Sequence, residues 1–268
     1  MFLRKFSIVA VLAAGLVGAT VAPANAAVDE ASGFAVGTVN PAFNDPGTPL
    51  LDHFYYRFTS DDHHIKRVSA LPQPGGTIQV AFHDRNWDDR YFYRVAAERV
   101  APAGIVLGSY QGRCVGQCDR GLSRPAGNYV FVLRGFQLAY RGTDHHIDEI
   151  GVREIAGRLH VAFNDRNNDD AFDFLVRYAW VPRARLSTVA GVSGSVSQAA
   201  GGVVQRAVPA GTKVIRGFRV DYPAAGVDHH IKTFGVFTNW NNIAVYYGDK
   251  NPYNSGSWQY AVNYAVLA

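Results

Sequence analysis

Gly135-Phe136-Gln137-Leu138-Ala139-Tyr140, Asp144-His145-His146-Ile147 and Val161-Ala162-Phe163-Asn164-Asp165-Arg166-Asn167 form the middle copy of a pattern that the chain writes three times. The histidine motif recurs as Asp62-His63-His64-Ile65 and Asp228-His229-His230-Ile231. The second motif recurs as Val80-Ala81-Phe82-His83-Asp84-Arg85-Asn86 and, altered, as Val245-Tyr246-Tyr247-Gly248-Asp249-Lys250-Asn251. The aspartates of the two motifs stand 22, 21 and 21 residues apart in the three copies. Two motifs held at one spacing three times over mark an internal duplication.

Each copy closes on a stretch with a period of two. The beat is Tyr91, Tyr93, Val95, Ala97 in the first, Phe172, Phe174, Val176, Tyr178, Trp180 in the second, and Trp258, Tyr260, Val262, Tyr264, Val266 in the third. Aromatic and β-branched residues alternating with polar ones predict strands with one buried face. Each unit reads as four strands. One ends before Asp-His-His, one follows it, one carries Val-Ala-Phe, and the last is the aromatic stretch. The Asp-Arg-Asn loop is expected to join the last two as a hairpin. A weaker fifth strand opens each unit, at 34–39, 105–109 and 189–193. The expected fold is all-β, with three tandem antiparallel β-sandwich-like repeats of about 80 residues. Three separate beads and one closed assembly with pseudo-threefold symmetry both fit that pattern.

The start of the chain has the layout of a secretory signal peptide. Arg4 and Lys5 precede an apolar run from Phe6 to Val21, and Ala24-Asn25-Ala26 supplies small residues for cleavage after Ala26. The run is short for a membrane anchor, and no later segment is apolar enough to span a bilayer. The resulting division is 1–26 signal peptide, 27–102 first repeat, 103–184 second repeat and 185–268 third repeat. The expected location is secreted or extracellular. Losing Arg4 and Lys5 lowers the formal net charge from +4 to +2, and no Lys/Arg run argues for nucleic acid. The cysteines, Cys114 and Cys118, flank Gly116, and export favours a local disulfide over half of a zinc site.

Ile147 and Ile150 stand three apart, which breaks strict alternation and predicts a bulge or turn near His146. Two readings of the histidine motif stand side by side. Asp62, His63, His64, Asp144, His145, His146, Asp228, His229 and His230 can bind a metal or a polar ligand. Alternatively the aspartate caps the turn while one histidine packs through a buried hydrogen bond. The second motif sets oxygen side chains at every second position: Asp84, Asn86, Asp88 in one copy and Asp165, Asn167, Asp169 in the next. Such spacing suits calcium, which takes six to eight oxygens. No central glycine follows, so the loop is not an EF-hand, and the third copy keeps only part of the set. Asp and Asn also form turns well, and Arg85 or Arg166 can pair with a neighbouring Asp.

The motif order resembles a repeat of exported bacterial proteins, a resemblance that implies no activity. The strand plan is distantly similar to H-type lectins, small six-stranded sandwiches that trimerise and bind sugars. That resemblance implies glycan binding. The leading expectation is a secreted multivalent protein that recognises carbohydrate or another cell-surface polymer, with calcium assisting. Trp87 is a candidate sugar-stacking residue, with Trp240 and Tyr253 as further ones. The alternatives are a metal-dependent hydrolase or other metalloprotein holding zinc or copper, and a structural envelope or matrix protein. No Gly-x-Ser-x-Gly elbow or phosphate loop is present, so the balance leans from catalysis towards binding. The oligomeric state is left open.

Overall fold

The computed structural model describes residues 27–43, 46–60, 64–86, 88–141, 146–165, 170–197, 202–223, 230–249 and 257–268. The segment 1–26, read above as a signal peptide, lies outside them. Among the described residues, seventeen strands form three antiparallel sheets, and no helix is long and apolar enough to cross a membrane.

The first sheet runs β1 (Ala27–Val36), β5 (Arg90–Val100), β2 (Thr48–Phe58), β15 (Ile231–Thr238), β16 (Asn242–Asp249), β13 (Val203–Ala207). The second runs β12 (Leu186–Ser197), β17 (Ser257–Leu267), β14 (Lys213–Asp221), β9 (Ile147–Ile155), β10 (Arg158–Asp165), β7 (Gln117–Gly121). The third runs β6 (Val106–Val115), β11 (Ala171–Pro182), β8 (Tyr129–Tyr140), β3 (Ile65–Gln73), β4 (Thr77–Asp84). Single bridges from Val39 to Val80 and from Ala42 to Thr77 extend its far edge. The three sheets share one plan. In each, strands from one segment of the chain meet strands from another, at β2–β15, β14–β9 and β8–β3. The backbones approach closely at these joints. A Cβ on Gly235 would stand 2.6 Å from the Phe54 carbonyl oxygen, and one on Gly135 would overlap that of Ala70.

Within one segment the two halves of the chain face each other across a layer of rings. Phe58 stacks on Phe82 at 4.4 Å, and Phe82 meets Tyr91 edge-on at 6.3 Å. The same arrangement recurs as Tyr140–Phe163 at 4.5 Å with Phe163–Phe172 at 5.8 Å, and as Tyr222–Tyr247 at 4.8 Å with Tyr247–Trp258 at 6.0 Å. Each trio bridges two sheets, so each segment is sandwich-like, and the sandwiches join edge to edge. The trios also explain the constant spacing of the two motifs. The ring that precedes Asp-His-His must land on the ring of Val-Ala-Phe.

The expected hairpin through the Asp-Arg-Asn loop is corrected by this arrangement. β4 pairs with β3, whereas β5 pairs with β1 and β2 in another sheet, so the chain passes from one sheet to the next between the end of β4 at Asp84 and the start of β5 at Arg90. Phe82 and Tyr91 belong to opposing layers of a sandwich and meet through their rings, not through backbone hydrogen bonds. The hairpins are instead β3–β4, β9–β10 and β15–β16.

The innermost strands β2, β8 and β14, one from each sheet, touch one another. Phe54, Phe136 and Phe218 meet there with ring centres 5.0, 4.9 and 4.9 Å apart, all fully buried. Near-equal separations define a pseudo-threefold axis, and the main core is continuous around it.

Cys114 and Cys118 are bonded where the chain leaves β6 for β7, passing from the third sheet to the second through Gly116 at φ 61°. So short a loop constrains the unfolded chain little. Replacing Cys118 with serine is expected to cost at most about 2 kcal/mol in chemical denaturation.

Candidate metal centre

The second histidine of each pair is placed just before β3, β9 or β15. The following isoleucine, Ile65, Ile147 or Ile231, is fully buried and pins the strand to the core. A one-residue bulge follows at once. Ile147 pairs with Asp165 and Glu149 with Asn164, leaving Asp148 as the extra residue. Lys66 and Lys232 are its counterparts. The bulge expected near His146 therefore lies two residues on.

This local geometry brings His64, His146 and His230 together at one end of the axis. Their ring centres are 4.6 Å (His64–His146), 4.9 Å (His64–His230) and 4.9 Å (His146–His230) apart, with interplanar angles of 71°, 87° and 90°. The rings are half-buried, and the three Nδ1 atoms are shielded from solvent. Three imidazoles on one tetrahedral ion, at metal–nitrogen distances of about 2.0–2.1 Å, hold their ring centres roughly 5 Å apart. The spacing suits an ion on the axis. Binding asks one nitrogen of each ring to face that axis, a choice open to the ring by rotation about Cβ–Cγ.

Both motifs lie at this pole. Asp84, Asp165 and Asp249 are the register partners of Ile65, Ile147 and Ile231, and the His230 backbone N–H donates to Asp249 Oδ1 at 3.3 Å. Carboxylates therefore gather behind the imidazoles. Their field is felt by the nearby phenols. Burial first, then the charges of Asp165, Asp170 and Asp148, hold the Tyr140 hydroxyl well above the ordinary phenol range. Burial, Asp249 and Asp148 do the same to Tyr222. A negative field around three imidazole rings favours a cation.

Among the oxygen residues of the second motif, Asp84, Asp88 and Asp89 bring carboxylate oxygens within 4.8 Å of one another. The Asn86 backbone N–H donates to Asp84 Oδ1 at 2.9 Å. Ser60 donates to Asp89 Oδ1 at 2.9 Å. Asp165 is buried. Asp62, His63, Trp87, Asp144, His145, Asn167, Asp169, Asp228, His229 and Tyr253 lie outside the described residues. Trp240 is exposed at the β15–β16 turn.

A buried polar group near the start of β2 was not expected from the sequence. Lys213 donates to the carbonyls of Gly211, Asn239 and Trp240 at 3.0, 3.0 and 2.7 Å. Asp52 accepts from Thr238 and lies 3.1 Å from His53 Nδ1. Glu98, pushed up to about 8 by burial and by Asp52, completes the group. The one available signal was polar Asp52-His53 and Lys213 interrupting apolar strand patterns.

No family model matches the chain, and a search of curated proteins finds no match.

Proposed function

We propose that this is an exported binding protein whose repeated Asp-His-His motifs hold one divalent transition-metal ion at the pole. The convergence of His64, His146 and His230 carries the reading. Imidazole is a borderline donor suited to zinc or copper, and calcium prefers oxygen. Three histidine ligands leave a fourth position open, so the ion can tie the repeats together and take a hydroxyl or carboxylate of a carbohydrate or other surface polymer. Calcium at the Asp84, Asp88 and Asp89 group is a separate proposal, supported only by the spacing of those oxygens.

The test is metal content measured on untagged protein after exposure to zinc, copper and calcium, then dialysis. One equivalent of zinc or copper per chain is expected. His146→Ala should lose it, and His160→Ala, with its ring against Asp119 on the second sheet, should keep it. Zinc at about 100 times its Kd should add about 2.7 kcal/mol of stability to the wild type and none to His146→Ala. Zinc retained undiminished by His146→Ala would sink the reading.

A further inference from the structure

The strands β2, β8 and β14 each carry a bulge at the same place. Asp52, Arg134 and Arg216 are the extra residues, each two positions before the axial phenylalanine. The pseudo-threefold axis therefore writes one local set three times. Opposite the residue after the bulge stand Ala96 on β5, Arg177 on β11 and Asn263 on β17. On the strand across the joint, the matching residues are Thr238, Pro72 and Glu154, paired with Ile243, Ile78 and Leu159 in their hairpins.

Two of the three sets are balanced in charge. Arg216 has the Glu154 carboxylate at 3.9 Å. Asp52 accepts from Thr238 and lies close enough to Lys213 to raise its proton affinity. The set around Arg134 instead holds two cations, Arg134 and Arg177, and Pro72 stands where the second sheet has Glu154. Arg99 is also near, but it pairs with Asp29 at 2.6 Å and so brings its own counter-charge. Burial first, then Arg177 and Arg99, lower the proton affinity of Arg134, with no carboxylate acting against them. Among the described residues neither Arg134 nor Arg177 forms an ion pair. Half-buried charge of one sign with no partner is costly, and an anion would relieve it.

The donors are fixed in place. Arg134 Nε donates to the Pro49 carbonyl at 3.3 Å, and Arg177 Nη1 donates to the Pro72 carbonyl. The other guanidinium nitrogens of both residues meet no acceptor among the described residues, and both side chains keep partial contact with water. Arginine forks of this kind pair with the oxygens of carboxylates and phosphates. A tetrahedral dianion supplies oxygens to both forks at once and matches their summed charge. A carboxylate carries one charge and two oxygens in a plane, enough for one fork.

We propose that Arg134 and Arg177 bind a phosphate dianion, free or in monoester linkage, at the joint between β8 and β3. The site belongs to one joint of the three, and it uses neither the histidines nor a metal.

The experiment is titration calorimetry in EDTA at constant ionic strength, with inorganic phosphate, glycerol phosphate and acetate as probes. Chelation keeps any ion at the histidines from supplying the anion site, so failure of the metal reading leaves this result unchanged. Wild type should bind one phosphate per chain, and acetate about tenfold or more weakly, a gap of about 1.4 kcal/mol. Glycerol phosphate bound as tightly as inorganic phosphate assigns the site to a monoester, and clearly weaker binding assigns it to the free ion. Arg177→Gln should weaken phosphate binding about tenfold or more. Arg216→Gln, at the balanced joint, should leave it unchanged. Pro72→Glu keeps both arginines and supplies the carboxylate that the second sheet has, so it should abolish phosphate binding. Circular dichroism and melting temperatures establish which variants are folded, and Pro72→Glu decides the matter if Arg177→Gln is not. No phosphate binding by the wild type, acetate bound as tightly as phosphate, or undiminished phosphate affinity in a folded Arg177→Gln or Pro72→Glu would each overturn the proposal.

Discussion

Phe136→Ala is expected to lower the unfolding free energy by about 3–5 kcal/mol, the range for deleting a fully buried aromatic ring that its neighbours cannot fill. Phe136 meets Phe54 and Phe218 on the axis, with each ring supplied by a different sheet. Collapse into the vacated volume would require all three sheets to move together, which the joints at β2–β15, β8–β3 and β9–β14 oppose. The loss should therefore lie in the upper part of that range. It should also be felt by the whole molecule. Guanidinium denaturation followed by tryptophan fluorescence and by far-ultraviolet circular dichroism should give one shared transition, moved to lower denaturant without a change of slope. The fluorescence signal is spread usefully, because Trp180 and Trp258 lie in different segments, both buried. If Phe136→Ala melted one part of the chain while the rest held, the closed assembly would have to be replaced by separable sandwiches. Phe34→Ala, at an exposed ring, supplies the contrast and should change stability by about 0.5 kcal/mol or less.

Much of this architecture was legible because its rules are local. The beat Phe172, Phe174, Val176, Tyr178 can be read without a partner, and β11 follows it with each of those residues buried. The bulge after Asp-His-His was legible from Ile147 and Ile150 for the same reason. Pairing was not. Alternation says that Phe82 and Tyr91 are buried, but not whether they are neighbours in one sheet or facing rings of two. An Asp/Asn loop serves a hairpin or a crossing between sheets equally well. The hairpin turns carried their own signals, Pro74-Gly75-Gly76 and Ala156-Gly157, with positive φ at Gly75, Gly76, Ala156 and Gly157. The histidine triad was half legible. Adjacent histidines on a regular strand point to opposite faces, so one of each pair had to turn inward. Which one did, and that three should meet, depends on the closure of the sheets. The arginine pair was least legible. Arg134 and Arg177 lie on different strands, and only the bulge in the β8–β11 register sets them at one joint.

The acid–base response of the fold is expected to centre on Glu98. Its carboxyl is almost fully buried, its Oε2 meets no donor among the described residues, and Asp52 lies close enough to raise it further. The folded protein therefore holds the proton up to about pH 8, whereas the unfolded chain releases it at the ordinary carboxylate value near 4.5. Between those limits the folded state binds more protons than the unfolded state, so stability falls as pH rises. The contribution is fully present below about pH 4.5 and is lost by the time pH passes 8. One pKa unit is worth about 1.4 kcal/mol, so the rise from 4.5 to about 8 puts the loss on the order of 4–5 kcal/mol by pH 8. Glutamine copies the shape of the neutral carboxyl and cannot ionise. Glu98→Gln should match the wild type near pH 4.5 and exceed it progressively towards pH 8, the difference levelling off above that. The quantity to measure is the variant's stability minus that of the wild type at each pH, which cancels every group the two share. Lys213 provides the cross-check. It holds three backbone carbonyls at the end of β2 where Asp52 lies, and burial lowers its own proton affinity while Asp52 raises it. If ionised Glu98 leaned on Lys213 for compensation, Glu98→Gln would lose stability at pH 8 instead of gaining it. The sign of that one difference decides whether the buried carboxyl sits in the fold as a neutral acid or as half of an ion pair.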